Sequence, residues 1–164
     1  MESTIEKMIK KTAVLGFGNP VRADDGVGIY VVDQLKEHLG ESENLSIFDM
    51  GTSAFEVLFK LKSHERIILI DAVINTGEAV GTTYKLPASE VEAEIEDDPM
   101  VFLHGLKWNQ ALSYARKMLG DEYPENIEVY LIAIDSTKFN VGMTDEGKAG
   151  ADKIVNILIK ELKE

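Results

Sequence analysis

The chain has 164 residues, carries 17 Lys and Arg against 29 Asp and Glu for a net charge of −12, and has no cysteine. That length reads as one domain, at ~100–200 residues per domain, and a hydrophobic content of 45% supplies the core. The missing thiols exclude disulfides, a Cys nucleophile, thiolate zinc sites and iron–sulfur clusters, while the acidic balance argues against binding nucleic acid or an anionic membrane surface.

Residues 3–10 place Ile5, Met8 and Ile9 on one face of a short helix. The first eleven residues, MESTIEKMIKK, have no apolar core of signal-peptide length. Thr12–Phe17 is a β-rich run closed by the turn cluster Gly18-Asn19-Pro20. Asp24 opens a helical pattern in which Val27, Val31, Val32, Leu35 and Leu39 recur, and Gly40 ends it. Leu45–Asp49 is a second strand. Thr52 or Ser53 caps a short helix that runs to about Leu61.

Arg66–Asp71 is nearly continuous in aliphatic residues, the mark of a strand buried on both faces. Its apolar part is far too short to span a bilayer. Val80–Leu86 alternates and predicts a more exposed strand. Residues 87–99 are acidic without one positive charge, which usually marks a solvated segment. Trp108, Ala111, Leu112, Ala115 and Leu119 make a helix face, and Ile127–Ile134 predicts another buried strand. Thr144 caps a last helix, with Asp145 and Glu146 at its positive end and Ala151, Ile154, Val155, Leu158 and Leu162 facing the core.

Alternating strands and helices predict an α/β protein, a three-layer α/β/α sandwich. Its twisted, mostly parallel sheet has about five strands, with residues 80–86 as an antiparallel member. A soluble, cytoplasmic monomer is the expectation. Ligands in such folds sit beyond the carboxyl ends of the strands. The residues just after Phe17, Asp49, Asp71 and Ile134 are therefore the first place to look.

The strongest local signal is Gly16-Phe-Gly-Asn-Pro-Val-Arg-Ala-Asp-Asp-Gly-Val-Gly28. Gly26 and Gly28 are poor helix residues, each costing up to ~1 kcal/mol against Ala. Two of them at a helix start indicate close packing or ligand access. Asp24 and Asp25 have a plain reading as N-cap and first-turn acid. Neighbouring helical positions point ~100° apart, so one of the pair is able to cap while the other faces a cleft.

Gly16-x-Gly18 after a first strand also starts a dinucleotide-binding loop, with Asp49 in place of the ribose-binding acid. Val21 occupies the third glycine position, however, and Asp24 and Asp25 would repel a pyrophosphate at that helix start. Nucleotide binding stays an alternative. Carboxylates there attract a cation instead.

Asp71 ends four aliphatic residues. A carboxylate there is either capped and facing a loop, or a site residue at the carboxyl edge of the sheet. His38 and His64 fit a helix end and a polar loop, both solvated. His104 stands between an apolar segment and a helix start, as a packed core histidine or as a ligand. Two aspartates and one histidine on separate strand-to-helix connections would form an open O,O,N site suited to Ni²⁺ or Zn²⁺. There is no H-E-x-x-H and no G-x-S-x-G.

With these residues in view, the chain resembles the hydrogenase maturation protease family, endopeptidases that trim the C-terminus of [NiFe] hydrogenase large subunits. The resemblance rests on residues 15–28, on Asp49-Met-Gly-Thr-Ser53 and on Ile68-Leu-Ile-Asp-Ala72, and covers roughly residues 12–160. It implies that residues 1–11 extend the usual start of a protease domain over 12–164, within the single domain 1–164. It also implies metal ligands at Asp25, Asp71 and His104. Many members have Glu where this chain has Asp25. The implied substrate is the nickel-loaded large-subunit precursor, with nickel supplied by that substrate, at a site that also admits other divalent metals. Asp25 and Asp71 are then the candidates for activating a water. A non-catalytic nickel-binding or delivery protein would use the same three ligands. The lack of cysteine fits either metal reading, since soft thiolates would compete for nickel held by the substrate's own thiolates.

Overall fold

Strands form where apolar residues run without interruption. In the computed structural model, β1 (Thr12–Phe17) is buried at every position, and β3 (Arg66–Val73) buries Ile67 through Ile70 completely. With β5 (Asn126–Ala133) they form the centre of a sheet whose order is β2-β1-β3-β5-β4. The edge strands β2 (Leu45–Gly51) and β4 (Thr83–Pro87) are only partly buried. All pairs are parallel except β4 with β5, as the alternation at 80–86 predicts. The structure describes residues 11–18, 26–52, 56–62, 64–73, 76–90, 108–135 and 143–163. The expected helix over 3–10 and the acidic stretch 91–99 lie outside them.

Side chains alternate across the strands and build two cores. On one face, α1 (Val27–Leu39) and α4 (Asp145–Leu162) pack Val31, Val32, Leu35, Ile154 and Leu158 against Val14, Ile47, Ile68, Ile70 and Ile132. On the other, Val57 of α2 (Val57–Lys60) and Ala111, Leu112 and Ala115 of α3 (Trp108–Leu119) meet Leu15, Ile67, Leu69 and Val129. The result is the expected three-layer sandwich. The two helices of the first face are tied by the Tyr30 hydroxyl, which donates to Asp152 Oδ1. Arg66 ties β3 to β5 and α4 through Glu128 and Glu161, each 2.8 Å away.

Several element boundaries differ from the sequence reading. β2 continues to Gly51, so the helix after it does not start at Thr52 and is only four residues long. β3 continues past Asp71 because pairing with β5 persists through Val73 and Ala133. β4 starts at Thr83, since Val80 to Thr82 form a turn closed by the Thr82 amide donating to the Ala79 carbonyl at 3.1 Å. α1 is capped by Gly26, which has no side chain to offer, and not opened by a described aspartate. Asp24 lies outside the described residues. Thr144 caps α4 as expected, its Oγ1 accepting from the Gly147 amide at 3.0 Å.

Candidate active site

The chain leaves β1 and β3 in opposite directions. β1 leads through α1 to β2 on one side, while β3 leads to β4 on the other. The carboxyl ends of this neighbouring pair are the topological switch point of the sheet, where open α/β folds bind ligands. Asp71 stands there. The pairing of β1 with β2 is bulged at this edge, where a register shift pairs Phe17 with Gly51 and leaves Met50 unmatched.

The glycines of the first motif now have a physical cause. A Cβ on Gly28 would sit 2.1 Å from the Phe17 carbonyl oxygen and 2.8 Å from that of Ile70. A Cβ on Gly16 would sit 2.5 Å from Val32 Cγ1 and 2.6 Å from the Gly28 oxygen. Only glycine lets the start of α1 lie directly on the backbone at the ends of β1 and β3. Of the two expectations for the helix-start glycines, close packing is what Gly28 provides, and Gly16 of β1 packs against it from the strand side.

The Asp71 carboxylate is half-buried and held from two sides. Its Oδ1 accepts the Ala72 amide at 2.8 Å, and its Oδ2 accepts the indole N–H of Trp108 at 2.7 Å. Both donors are uncharged. The indole is itself stacked on Phe17, with ring centroids 6.2 Å apart and planes at 30°. Helical spacing marks Trp108 as a core residue and misses this second role. The available signal was chemical, because a partly buried indole N–H needs an acceptor. Tyr84 lies in register with Leu131, which is in register with Asp71. Its buried hydroxyl has no hydrogen-bond partner among the described residues.

Of the three expected ligands, only Asp71 falls within the described residues; Asp25 and His104 lie outside them. Among the described residues, no three His, Asp or Glu side chains are gathered as a metal-binding set. His38 is exposed and bonded to the Gln34 carbonyl at 2.8 Å. His64, expected to be solvated, is half-buried. Its Nδ1 lies 2.9 Å from the Lys60 carbonyl, and its ring meets Phe48 edge-on. Asp49, the acid a dinucleotide site would need, accepts the Gly51 amide at 2.9 Å and so holds the bulged end of β2. No helix among the described residues is long and apolar enough to cross a membrane.

Residues 29–161 match the family model described as hydrogenase maturation protease. That range contains Asp71 and His104 and begins just beyond the first motif. The hydrogenase 2 maturation protease of Escherichia coli (strain K12) is 25% identical over 151 residues, covering 92% of this chain and 90% of that protein. A putative hydrogenase maturation protease of Methanocaldococcus jannaschii is 27% identical over 170 residues, covering 96% of this chain and 92% of its own. Among solved structures, the hydrogenase maturating endopeptidase HybD from E. coli has a TM-score of 0.78 at 24% identity, over 93% of this chain and 92% of that one. The protein shares its fold with that structure.

Proposed function

Since the chain belongs to the hydrogenase maturation protease family, a family of peptidases, we propose that it removes the C-terminal extension of a nickel-loaded [NiFe] hydrogenase large-subunit precursor. In this reading the precursor's own nickel is the recognition element, and Asp25, Asp71 and His104 receive it. One observation carries the assignment. Gly28, three residues after Asp25, lies against the Ile70 carbonyl, and Trp108, four residues after His104, donates to Asp71. Described residues flanking both other candidates therefore meet the end of β3, where the third stands.

The donor set suits that task. Two carboxylates and one imidazole bind a borderline divalent ion through oxygen and nitrogen, and without thiolates they do not strip it from a sulfur-ligated precursor. Asp71 is held by uncharged donors, so its anionic charge is not neutralised by them. Docking through the nickel positions the scissile peptide at the carboxyl edge of the sheet, which turns a bimolecular encounter into an oriented one. The metal, when bound, supplies Lewis-acid polarisation. Asp25 or Asp71 takes the proton from the attacking water as its oxygen bonds to the carbonyl carbon, and returns it to the amine that leaves when the peptide C–N bond breaks.

The test is to incubate the protein with nickel-loaded and nickel-free precursor and follow the length of the large subunit. Cleavage confined to the loaded form is expected. Asp25→Ala, Asp71→Ala and His104→Ala should each abolish it. Equal cleavage of both forms would remove nickel from the reading. A precursor that stays full length while its metal content changes would turn the reading toward delivery.

A further inference from the structure

We infer that Trp108 is a positioning residue for the peptidase reaction, acting through Asp71. The inference rests on the function proposed above and adds a residue to it. The indole Nε1–Asp71 Oδ2 separation of 2.7 Å is at the short end for a donor facing a carboxylate. The Ala72 amide at Oδ1 completes a two-point hold that fixes the plane of the carboxylate. Hydrogen bonds of this kind orient ligating carboxylates and are worth 10–100-fold in metal affinity or activity, as an order of magnitude.

The identity of the donor is informative. An Arg or Lys in this place would also hold Asp71, but it would bring a positive charge to a site meant for a cation. An indole N–H donates only and carries no charge. It orients the carboxylate without bringing a positive charge of its own. Phe17 stacks on the indole and so fixes the donor. Phe17 belongs to β1, whose end receives Gly28 of the first motif. The orientation of Asp71 thus depends on both neighbouring strands of the switch point.

Trp108 is the only tryptophan in the chain, so the indole reports on itself. In the ¹⁵N-labelled full chain its single indole N–H resonance should lie downfield, be slow to exchange and move upfield in Asp71→Ala. Trp108→Phe keeps a stacking ring and removes the donor. It should lower kcat on the nickel-loaded precursor about 10–100-fold with little change in KM or in thermal midpoint, and Trp108→His, which restores a ring N–H, should recover part of the loss. An indole resonance indifferent to Asp71→Ala would overturn the inference. So would full activity of Trp108→Phe in a preparation where Asp71→Asn is inactive. Full activity of Asp71→Asn would instead overturn the proposed function. If Trp108→Phe fails to fold, the indole resonance and Trp108→His carry the same test.

Discussion

Gly28 and Ile70 are in contact through backbone alone: the α-carbon of one faces the carbonyl oxygen of the other with no room for a methyl group between them. This contact sets how α1 starts. Gly28→Ala brings a Cβ to 2.1 Å from the Phe17 oxygen. Overpacking of this kind costs typically 1–3 kcal/mol, and about 3 kcal/mol is expected here because both obstacles are backbone. Urea unfolding would measure it, and a variant as stable as the parent would refute the close packing.

Tyr84 leads to the opposite expectation. Its hydroxyl is buried and has no partner among the described residues, and an unsatisfied buried polar group costs ~1–3 kcal/mol. Tyr84→Phe should therefore leave the thermal midpoint unchanged or raise it. A fall of several degrees would show that the phenol is bonded.

The Tyr30–Asp152 hydrogen bond joins α1 to α4 across the first face. Burial, then the hydrogen bond and charge of Asp152, push the Tyr30 phenol up to about 12 from its ordinary 10.0. A raised value means that the folded state retains the proton longer than the unfolded one. The contribution is full below pH 10 and is lost as pH rises toward 12. Tyr30→Phe should cost about 1 kcal/mol at pH 7, and the stability of parent and variant should converge in alkali. Denaturant titrations at neutral and alkaline pH would show it.

The ion cluster at the other end of β3 gives an acid dependence. Burial alone would raise the Glu128 carboxyl, but hydrogen bonds and charge from Lys85 and Arg66 outweigh it and hold the group below its ordinary 4.5. A depressed carboxyl stabilises the fold above pH 4.5, and that contribution is lost as pH falls through its folded value. Arg66→Met should cost between the ~1 kcal/mol of an exposed pair and the ~3 kcal/mol or more of a buried one. It should also flatten the loss of stability below pH 4.5. An acid limb as steep as the parent's would show that Arg66 does not govern Glu128.

The sequence by itself determined the layers. Continuous aliphatic runs at Ile67–Ile70 and in β1 can only be central strands, because both of their faces must be covered. Alternation at 80–86 marks the edge strand, and the helical spacing of α1, α3 and α4 states which face each helix buries. Asp71 was legible as a site candidate because a carboxylate ending such a run needs a reason. Element ends were less legible. β2 and β3 run on as far as their neighbours continue to pair, and the short α2 takes what remains.

Only the tertiary structure decided what the glycines and Trp108 are for. Gly28 is a costly residue at a helix start until the Phe17 and Ile70 carbonyls are set against it, and Gly16 until Val32 and the Gly28 carbonyl are. Trp108 belongs to an apolar helix face until its N–H is found 2.7 Å from Asp71, 37 residues away in sequence. Periodicity reports which side of an element is buried. It cannot report which atom of a distant strand lies opposite, because that depends on strand order, and strand order is set by the packing of all the layers together.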